Sequence, residues 1–130
     1  HHNMGYILYF LHKRSGKYWD CAEIDRAIKC FEKSIELSGN EGSFHAHNFL
    51  SMIFLNRKNF VERRKQLEKM LELFGDRKDI RLEKSNRKDS LFIQTVLRLG
   101  DTLRDHFKSP NEALCFCRRY YPYLFFLCVS

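Results

Sequence analysis

The sequence predicts an all-α protein of antiparallel helix hairpins, with about six helices in total. Apolar residues recur at steps of three and four along several segments, a spacing that keeps them on one side of a helix. Gly, Asn, Ser and Pro fall between those segments, where helices begin and end. A small, bulky, small spacing of side chains also recurs, which is typical of stacked helical repeats.

The first predicted hairpin occupies the beginning of the chain. Residues 5–13 form an apolar run that suits either a strand or a helix, and the helical context favours a helix. The second helix is predicted over residues 20–37, with Asp20 and Glu23 as a helix start. Gly39 ends it, because glycine can take the left-handed conformation found after helices.

The second predicted hairpin has a short turn at residues 56–59, so its helices pack antiparallel. Its first helix begins after residues 41–43, with Ser43 as the N-cap. Its second helix spans residues 60–74 and ends at Gly75. The residues expected on the inner side of this last helix are Val61, Leu67, Met70, Leu71 and Phe74.

The third predicted hairpin follows a charged segment at residues 76–89, which is either a surface loop or a polar extension of a helix. The fifth helix is predicted over residues 90–107. The sixth begins at Ser109 and Pro110 and ends near Pro122. The apolar side of the fifth helix is expected to contain Leu91, Ile93, Val96, Leu97 and Leu103.

Ala27, Phe31 and Ser34 place a small, a bulky and a small residue along the second helix. This pattern resembles the tetratricopeptide repeat, a helix-turn-helix unit of about 34 residues. The resemblance implies one domain over residues 1–130, with hairpins stacked as a short right-handed superhelix. The expected segments are repeats at about 8–40, 44–75 and 90–121, an insert at 76–89 and a tail at 122–130.

Arg63 stands where the second repeat of this family would have a small residue. An arginine can lie with its stem across an apolar groove and its head in water, so the repeat is still expected to form. Ala113, Cys117 and Tyr120 follow the pattern less closely in the third repeat. An irregular helical bundle would give the same periodicity and is the structural alternative.

In the tetratricopeptide family the first helices of successive repeats line a concave groove. The resemblance therefore implies a non-catalytic adaptor or scaffold that binds a peptide or a helical partner there. The implied groove combines aromatic, amide and basic groups, which suits an extended peptide held through its backbone and carboxylates. Its residues are Tyr9, His12, Lys13, His45, Asn48, Met52, Arg98, Thr102 and Asp105.

The chain is basic, with 23 Lys and Arg against 16 Asp and Glu and a net charge of +7, which favours anionic partners. RNA binding is the alternative function, with basic side chains on phosphates and aromatic rings stacked on bases. Solvated helix surfaces account for much of the same charge. The basic residues considered are Arg57, Lys58, Arg77, Lys78, Arg81, Lys84, Arg87 and Lys88.

Chemistry at a metal or a catalytic site is not expected. The five cysteines are odd in number and lack paired zinc spacings, which favours reduced thiols and a cytoplasmic or nuclear protein. His45 and His47 are two apart, so on a helix they face different directions. Cysteine catalysis would need a histidine beside an exposed thiol, and no local pattern indicates one. No cofactor and no enzyme activity are predicted.

The tail at residues 120–127 is strongly apolar, and we expect something to cover it. It either folds back on the last hairpin or forms a homodimer through residues 120–129, and a longer repeat array is a third alternative. It is too short to cross a bilayer and contains Pro122, so no membrane association is predicted. The start of the chain lacks the pattern of a secretory signal.

Overall fold

A computed structural model describes residues 2–15, 18–38, 40–74 and 87–105, together with positions 111, 112, 115 and 119. The regular structure in these residues is helical, which confirms the all-α prediction. The predicted sixth helix and the tail fall outside the described residues, apart from those four positions, which are helical. The helices are α1 (His2–Ser15), α2 (Ala22–Leu37), α3 (Asn40–Asn56), α4 (Phe60–Phe74) and α5 (Arg87–Asp105).

The chain forms two compact units, His1–Leu73 and Phe74–Ser130. In the first unit, α1 packs on α2 and α2 packs on α3. Side chains from these three helices share one core, which closes around the ring of Phe31 and its stacked neighbour Phe49, with 5.3 Å between ring centres. The buried members of this core are Tyr9, Ile24, Ala27, Phe31, Ala46, Leu50, Ile53 and Phe54.

Gly5 lets α1 and α2 approach each other closely. A Cβ atom at this position would lie 3.1 Å from carbon atoms of the Phe31 ring, which is tighter than ordinary van der Waals contact. The small residue that the Phe31 ring meets across the hairpin is thus a glycine of α1, which the sequence pattern did not single out.

Two helix starts differ from the sequence prediction. The N-cap of α2 is Cys21, in an extended conformation without a side-chain hydrogen bond, so Asp20 was wrongly assigned as part of the helix start. The Asp20 carboxylate instead lies 3.6 Å from the Arg57 guanidinium. The α3 helix begins at Asn40, and Ser43 lies inside it, buried, so the Ser43 N-cap prediction is also wrong.

The turn between α3 and α4 matches the prediction closely. The predicted span of residues 60–74 agrees with α4 as observed. The backbone N–H of Asn59 donates to the Phe54 carbonyl at 2.9 Å, and Lys58 takes the left-handed conformation with φ 59°. The Asn59 side-chain oxygen lies 3.4 Å from the backbone nitrogen of Glu62, as expected of an N-cap.

The inner side of α4 is partly as predicted. Leu67, Met70 and Leu71 are buried, whereas Val61 is 55% exposed and its inward assignment is wrong. Arg63 is only 6% exposed, so its head does not lie in water as expected. Its Nη1 donates to the backbone carbonyl of Ser51 at 2.9 Å, and this bond joins α4 to α3.

In the second unit, α5 begins at Arg87, three residues before the predicted start. Of the residues predicted for its apolar side, Ile93, Val96 and Leu103 are buried. The side chain of Leu91 lies outside the described part of the chain. Leu97 is 39% exposed, so its assignment to the apolar side is wrong. The described buried apolar residues of α5 are Phe92, Ile93, Val96, Leu99 and Leu103.

Candidate functional site

The α1 helix is apolar on both sides. Gly5, Tyr9 and His12 lie on its buried side, which faces α2 and α3. Met4, Ile7 and Leu11 are 48%, 51% and 60% exposed and follow one another at steps of three and four. That spacing aligns them on one side of the helix. We call these three residues the α1 stripe.

Aromatic and basic side chains flank the α1 stripe. The ring of Tyr6, 44% exposed, lies 4.4 Å from the ring of Phe10 and 5.3 Å from that of Phe49. Lys13 places its Nζ 5.9 Å from the centre of the Phe10 ring, within the range of a cation–π contact. Arg14 follows Lys13, and α1 contains no Asp or Glu. The exposed side of α1 is therefore apolar and aromatic, with positive charge towards its C-terminal end.

A second feature lies where the connection from α1 enters α2. The Sγ of Cys21 is 3.8 Å from Nδ1 of His12. A carboxylate oxygen of Glu23 completes a group whose three ligand atoms lie within 4.8 Å of one another. His12 is buried, Cys21 is half-buried and Glu23 is exposed, so the group runs from the interior to solvent. We call these residues the His12–Cys21–Glu23 cluster.

The His12 ring is held by packing. It meets Trp19 edge to face, with 4.8 Å between ring centres. Among the described residues its Nε2 has no hydrogen-bond partner, although it is buried. A catalytic Cys–His pair uses a third group to orient the imidazole through its other nitrogen. The structure places the Cys21 thiol beside the His12 imidazole, a pairing that the sequence did not indicate. Among the described residues, no third group forms a hydrogen bond with Nε2 of this imidazole.

Arg57 holds the backbone that carries Cys21. Its Nε donates to the Trp19 carbonyl at 2.8 Å, and its Nη2 lies 3.5 Å from the Cys21 carbonyl. The same Nη2 contacts the Asp25 carboxylate at 2.8 Å. The α3–α4 turn is thereby tied to the start of α2, and Arg57 is 15% exposed at its side chain.

The predicted groove residues of α1 lie in different environments. Tyr9 and His12 are 1% and 4% exposed, so they belong to the interior and offer a partner almost no surface. The Tyr9 hydroxyl lies 3.8 Å from the Met52 sulfur, which brings together two predicted residues as a link between α1 and α3. Met52 is half-buried and Lys13 is exposed.

His45 is exposed and Asn48 is half-buried on α3. Ala46 is fully buried between His45 and His47, and the Nδ1 of His47 lies 2.6 Å from the Gln66 side-chain oxygen of α4. The two histidines therefore point to different surroundings, as their spacing indicated. Within the described ranges, the single group of potential metal ligands is the His12–Cys21–Glu23 cluster.

The remaining predicted groove residues belong to α5 in the second unit. Thr102 is 2% exposed and its hydroxyl donates to the Arg98 carbonyl of its own helix at 2.7 Å. Asp105 is exposed and contacts Arg104 at 2.9 Å. Arg98 is half-buried. Thr102 therefore offers little surface, whereas Arg98 and Asp105 remain candidates for a contact.

Several basic side chains of the first unit, among them Arg57 of the set considered for RNA, are matched by carboxylates within the fold. Arg57 makes the contacts described above. On α4, Arg64 pairs with Glu68 at 2.9 Å, and Lys65 pairs with Glu62 at 3.2 Å. The other basic residues considered for RNA, apart from Lys58, have side chains outside the described part of the chain. Pairing of this kind is typical of a solvated helix surface.

None of the described helices combines the length and apolar character that crossing a bilayer requires. Comparisons with protein-family models, with curated proteins and with solved structures find no match for the chain.

Proposed function

We propose that the chain is a non-catalytic protein-interaction module that binds an amphipathic helix of a partner protein along the α1 stripe. The observation that carries the proposal is the exposure of Met4, Ile7 and Leu11 on a helix whose other side already lies in the core. Aligned apolar side chains on a surface are typical of interaction sites. Their three- and four-residue steps match the anchors through which helices pack on one another.

Charge specifies the partner further. Lys13 and Arg14 lie at the C-terminal end of α1, and the helix lacks acidic residues. Arg14 follows Leu11 by three residues and so lies beside the α1 stripe, whereas Lys13 follows it by two and faces another direction. A partner helix with a carboxylate opposite Arg14 would gain in association rate and orientation. The exposed Tyr6 ring adds the kind of side chain that often dominates binding energy at interfaces.

The resemblance to tetratricopeptide repeats supports the same class of function, and an adaptor or scaffold role is part of the proposal. Lys13, His45, Asn48 and Met52 are the remaining candidates for a second contact in the first unit. We expect the module to act in the cytoplasm or nucleus, where thiols such as Cys21 remain reduced.

Replacement of two stripe residues tests this function. Ile7→Glu combined with Leu11→Glu should weaken partner binding by at least about tenfold. Two apolar contacts of the interface would be replaced by carboxylates that lose their hydration when the partner binds. Val61→Glu is the matched control, since Val61 is 55% exposed on α4, outside the stripe. A photo-crosslinker at position 11 identifies the partner in lysate, and titration of that purified partner measures the affinity of each variant.

Nuclease treatment distinguishes the RNA alternative. Partner capture should survive nuclease and change little with salt, because apolar contacts dominate it. Capture that disappears with nuclease would favour RNA, as would affinity for mixed RNA that falls steeply with salt. Equal partner affinity in the stripe variant and the Val61→Glu control would contradict binding at the stripe.

A further inference from the structure

The His12–Cys21–Glu23 cluster has the geometry of a metal site. Zinc bonds of about 2.3 Å to sulfur and about 2.1 Å to nitrogen, at tetrahedral angles, place these two ligand atoms roughly 3.5 Å apart. The observed distance from Cys21 Sγ to His12 Nδ1 is 3.8 Å. Two ligands therefore lie almost where an ion would need them, without rearrangement of either helix.

Glu23 can supply the third ligand from the solvent side. Its carboxylate lies within 4.8 Å of the other two ligand atoms, and the residue is exposed. A rotation about its side-chain bonds can shorten this distance, because an exposed glutamate retains several rotamers. The position of Glu23 also gives an ion a path of entry, which a site closed on all sides would lack.

The His12 ring is difficult to explain by packing alone. A buried polar atom without a partner costs about 1–3 kcal/mol, and Nε2 of His12 is such an atom within the described residues. An apolar side chain of similar size beside Trp19 would avoid that cost. The nitrogen that would bind an ion is the other one, Nδ1, which faces Cys21 Sγ at 3.8 Å. Nε2 would then carry the ring proton and remain without a partner among the described residues, so its cost would have to be offset by binding at Nδ1.

The surrounding structure fixes the two inner ligands. The Trp19 ring packs against the imidazole, and Arg57 holds the carbonyls of Trp19 and Cys21. The positive charge of Arg57 is matched by Asp25 at 2.8 Å and by Asp20 at 3.6 Å. Support of this kind holds ligands in place before the ion binds, which improves affinity.

We propose that His12, Cys21 and Glu23 bind a Zn²⁺ ion with one coordination position open to solvent. Sulfur and imidazole ligands select borderline and soft metals over Mg²⁺ and Ca²⁺, which prefer all-oxygen sites. The mixed nitrogen, sulfur and oxygen set is one that zinc accepts. The open position takes water.

Titration with Co²⁺ in place of Zn²⁺ tests the site on the full chain. The spectrum should gain a sulfur-to-cobalt charge-transfer band in the near ultraviolet and the visible bands of a four-coordinate ion, at one ion per chain. Added Zn²⁺ should remove both. The charge-transfer band requires a sulfur ligand, so the histidines at the start of the chain cannot produce it.

Matched variants locate the ion. Cys21→Ser should abolish the charge-transfer band, whereas Cys30→Ser, a substitution of another half-buried thiol, should leave it unchanged. Glu23→Gln should weaken Co²⁺ binding by at least about tenfold. Far-ultraviolet circular dichroism of each variant verifies that the helices persist.

Three outcomes would overturn the proposal: no charge-transfer band in the unaltered chain, a band that survives Cys21→Ser, or unchanged affinity in Glu23→Gln. The site is independent of partner binding at the α1 stripe. The Ile7→Glu and Leu11→Glu variant should therefore still bind one Co²⁺ with the same spectrum.

Discussion

The α1–α2 and α3–α4 hairpins have their helices joined in the same antiparallel way but are closed by different contacts. In the first, the absence of a side chain at Gly5 admits the Phe31 ring. In the second, the buried Arg63 donates to the Ser51 carbonyl, and His47 meets Gln66 across the same helix pair. The α1–α2 hairpin depends mainly on how closely the Phe31 ring fits against Gly5, whereas the α3–α4 hairpin also depends on hydrogen bonds between polar atoms of its two helices.

This difference determines which substitutions each hairpin tolerates. Close packing of a ring on a helix backbone is sensitive to volume in either direction, because interiors have little empty space. The hydrogen bonds of a buried cation stabilise the fold, but removing the cation from water costs free energy. Its net contribution to stability is therefore smaller than its contacts indicate. Substitutions in the first hairpin should therefore have the larger effects.

Loss of the Phe31 ring should have the largest effect. Phe31 is fully buried, and Phe31→Ala should lower the free energy of unfolding by about 3–5 kcal/mol through lost burial and the cavity that remains. Urea unfolding followed by fluorescence measures this, because Trp19, the single tryptophan of the chain, packs against the same core.

Leu37→Ala is the control for this measurement. Leu37 lies at the end of the same helix but is 65% exposed, so its loss should change stability by less than about 0.5 kcal/mol. A cost for Phe31→Ala no larger than that of the control would mean that the ring does not close the first hairpin.

Filling the space at Gly5 should have the next largest effect. Gly5→Val adds branched atoms where even a Cβ would lie 3.1 Å from the Phe31 ring, and we expect a cost of about 2 kcal/mol. Gly5→Ala should be much milder, because the better helix propensity of alanine offsets a small shift of the ring. The same urea titration compares the two.

The two Gly5 variants together test whether space is the cause. Valine and alanine differ in volume at one backbone position, so a cost that rises from alanine to valine indicates crowding against the ring. Equal stabilities for both variants would show that α1 can move away from α2 at little cost, and that the close approach is not required.

The fold could be predicted where local signals and burial agree. The α4 bounds follow from a turn at one end and from an apolar periodicity whose residues the fold buries. In α2, the small and bulky residues of the repeat pattern, Ala27, Phe31 and Ser34, are all buried. The prediction failed where a polar residue resembled a cap. Asp20 is near Arg57 instead of the helix amides, and Ser43 packs inside α3.

The candidate sites were harder to predict, for two physical reasons. The α1 sequence is apolar all round, so periodicity could not separate the core residue Tyr9 from the exposed Leu11. His12 and Cys21 are nine residues apart, one in α1 and the other at the N-cap of α2, and they meet because these two helices pack on each other. Such a meeting depends on how the helices pack, which a spacing rule for zinc ligands does not encode.

Arg63 offers the smallest effect and the most direct comparison with the first hairpin. Arg63→Ala places a small residue at the position where the resembled repeat has one, and we expect it to cost about 1.5 kcal/mol through lost packing of the stem and the lost bond to Ser51. Arg63→Met retains most of the stem and should cost about 1 kcal/mol or less, because removal of a buried charge offsets the lost bond. Urea unfolding of both variants separates the contribution of the aliphatic stem to stability from that of the charged head. If Arg63→Ala were as stable as the unaltered chain, a small residue would close the second hairpin as well as the arginine does, and both hairpins would follow one packing rule.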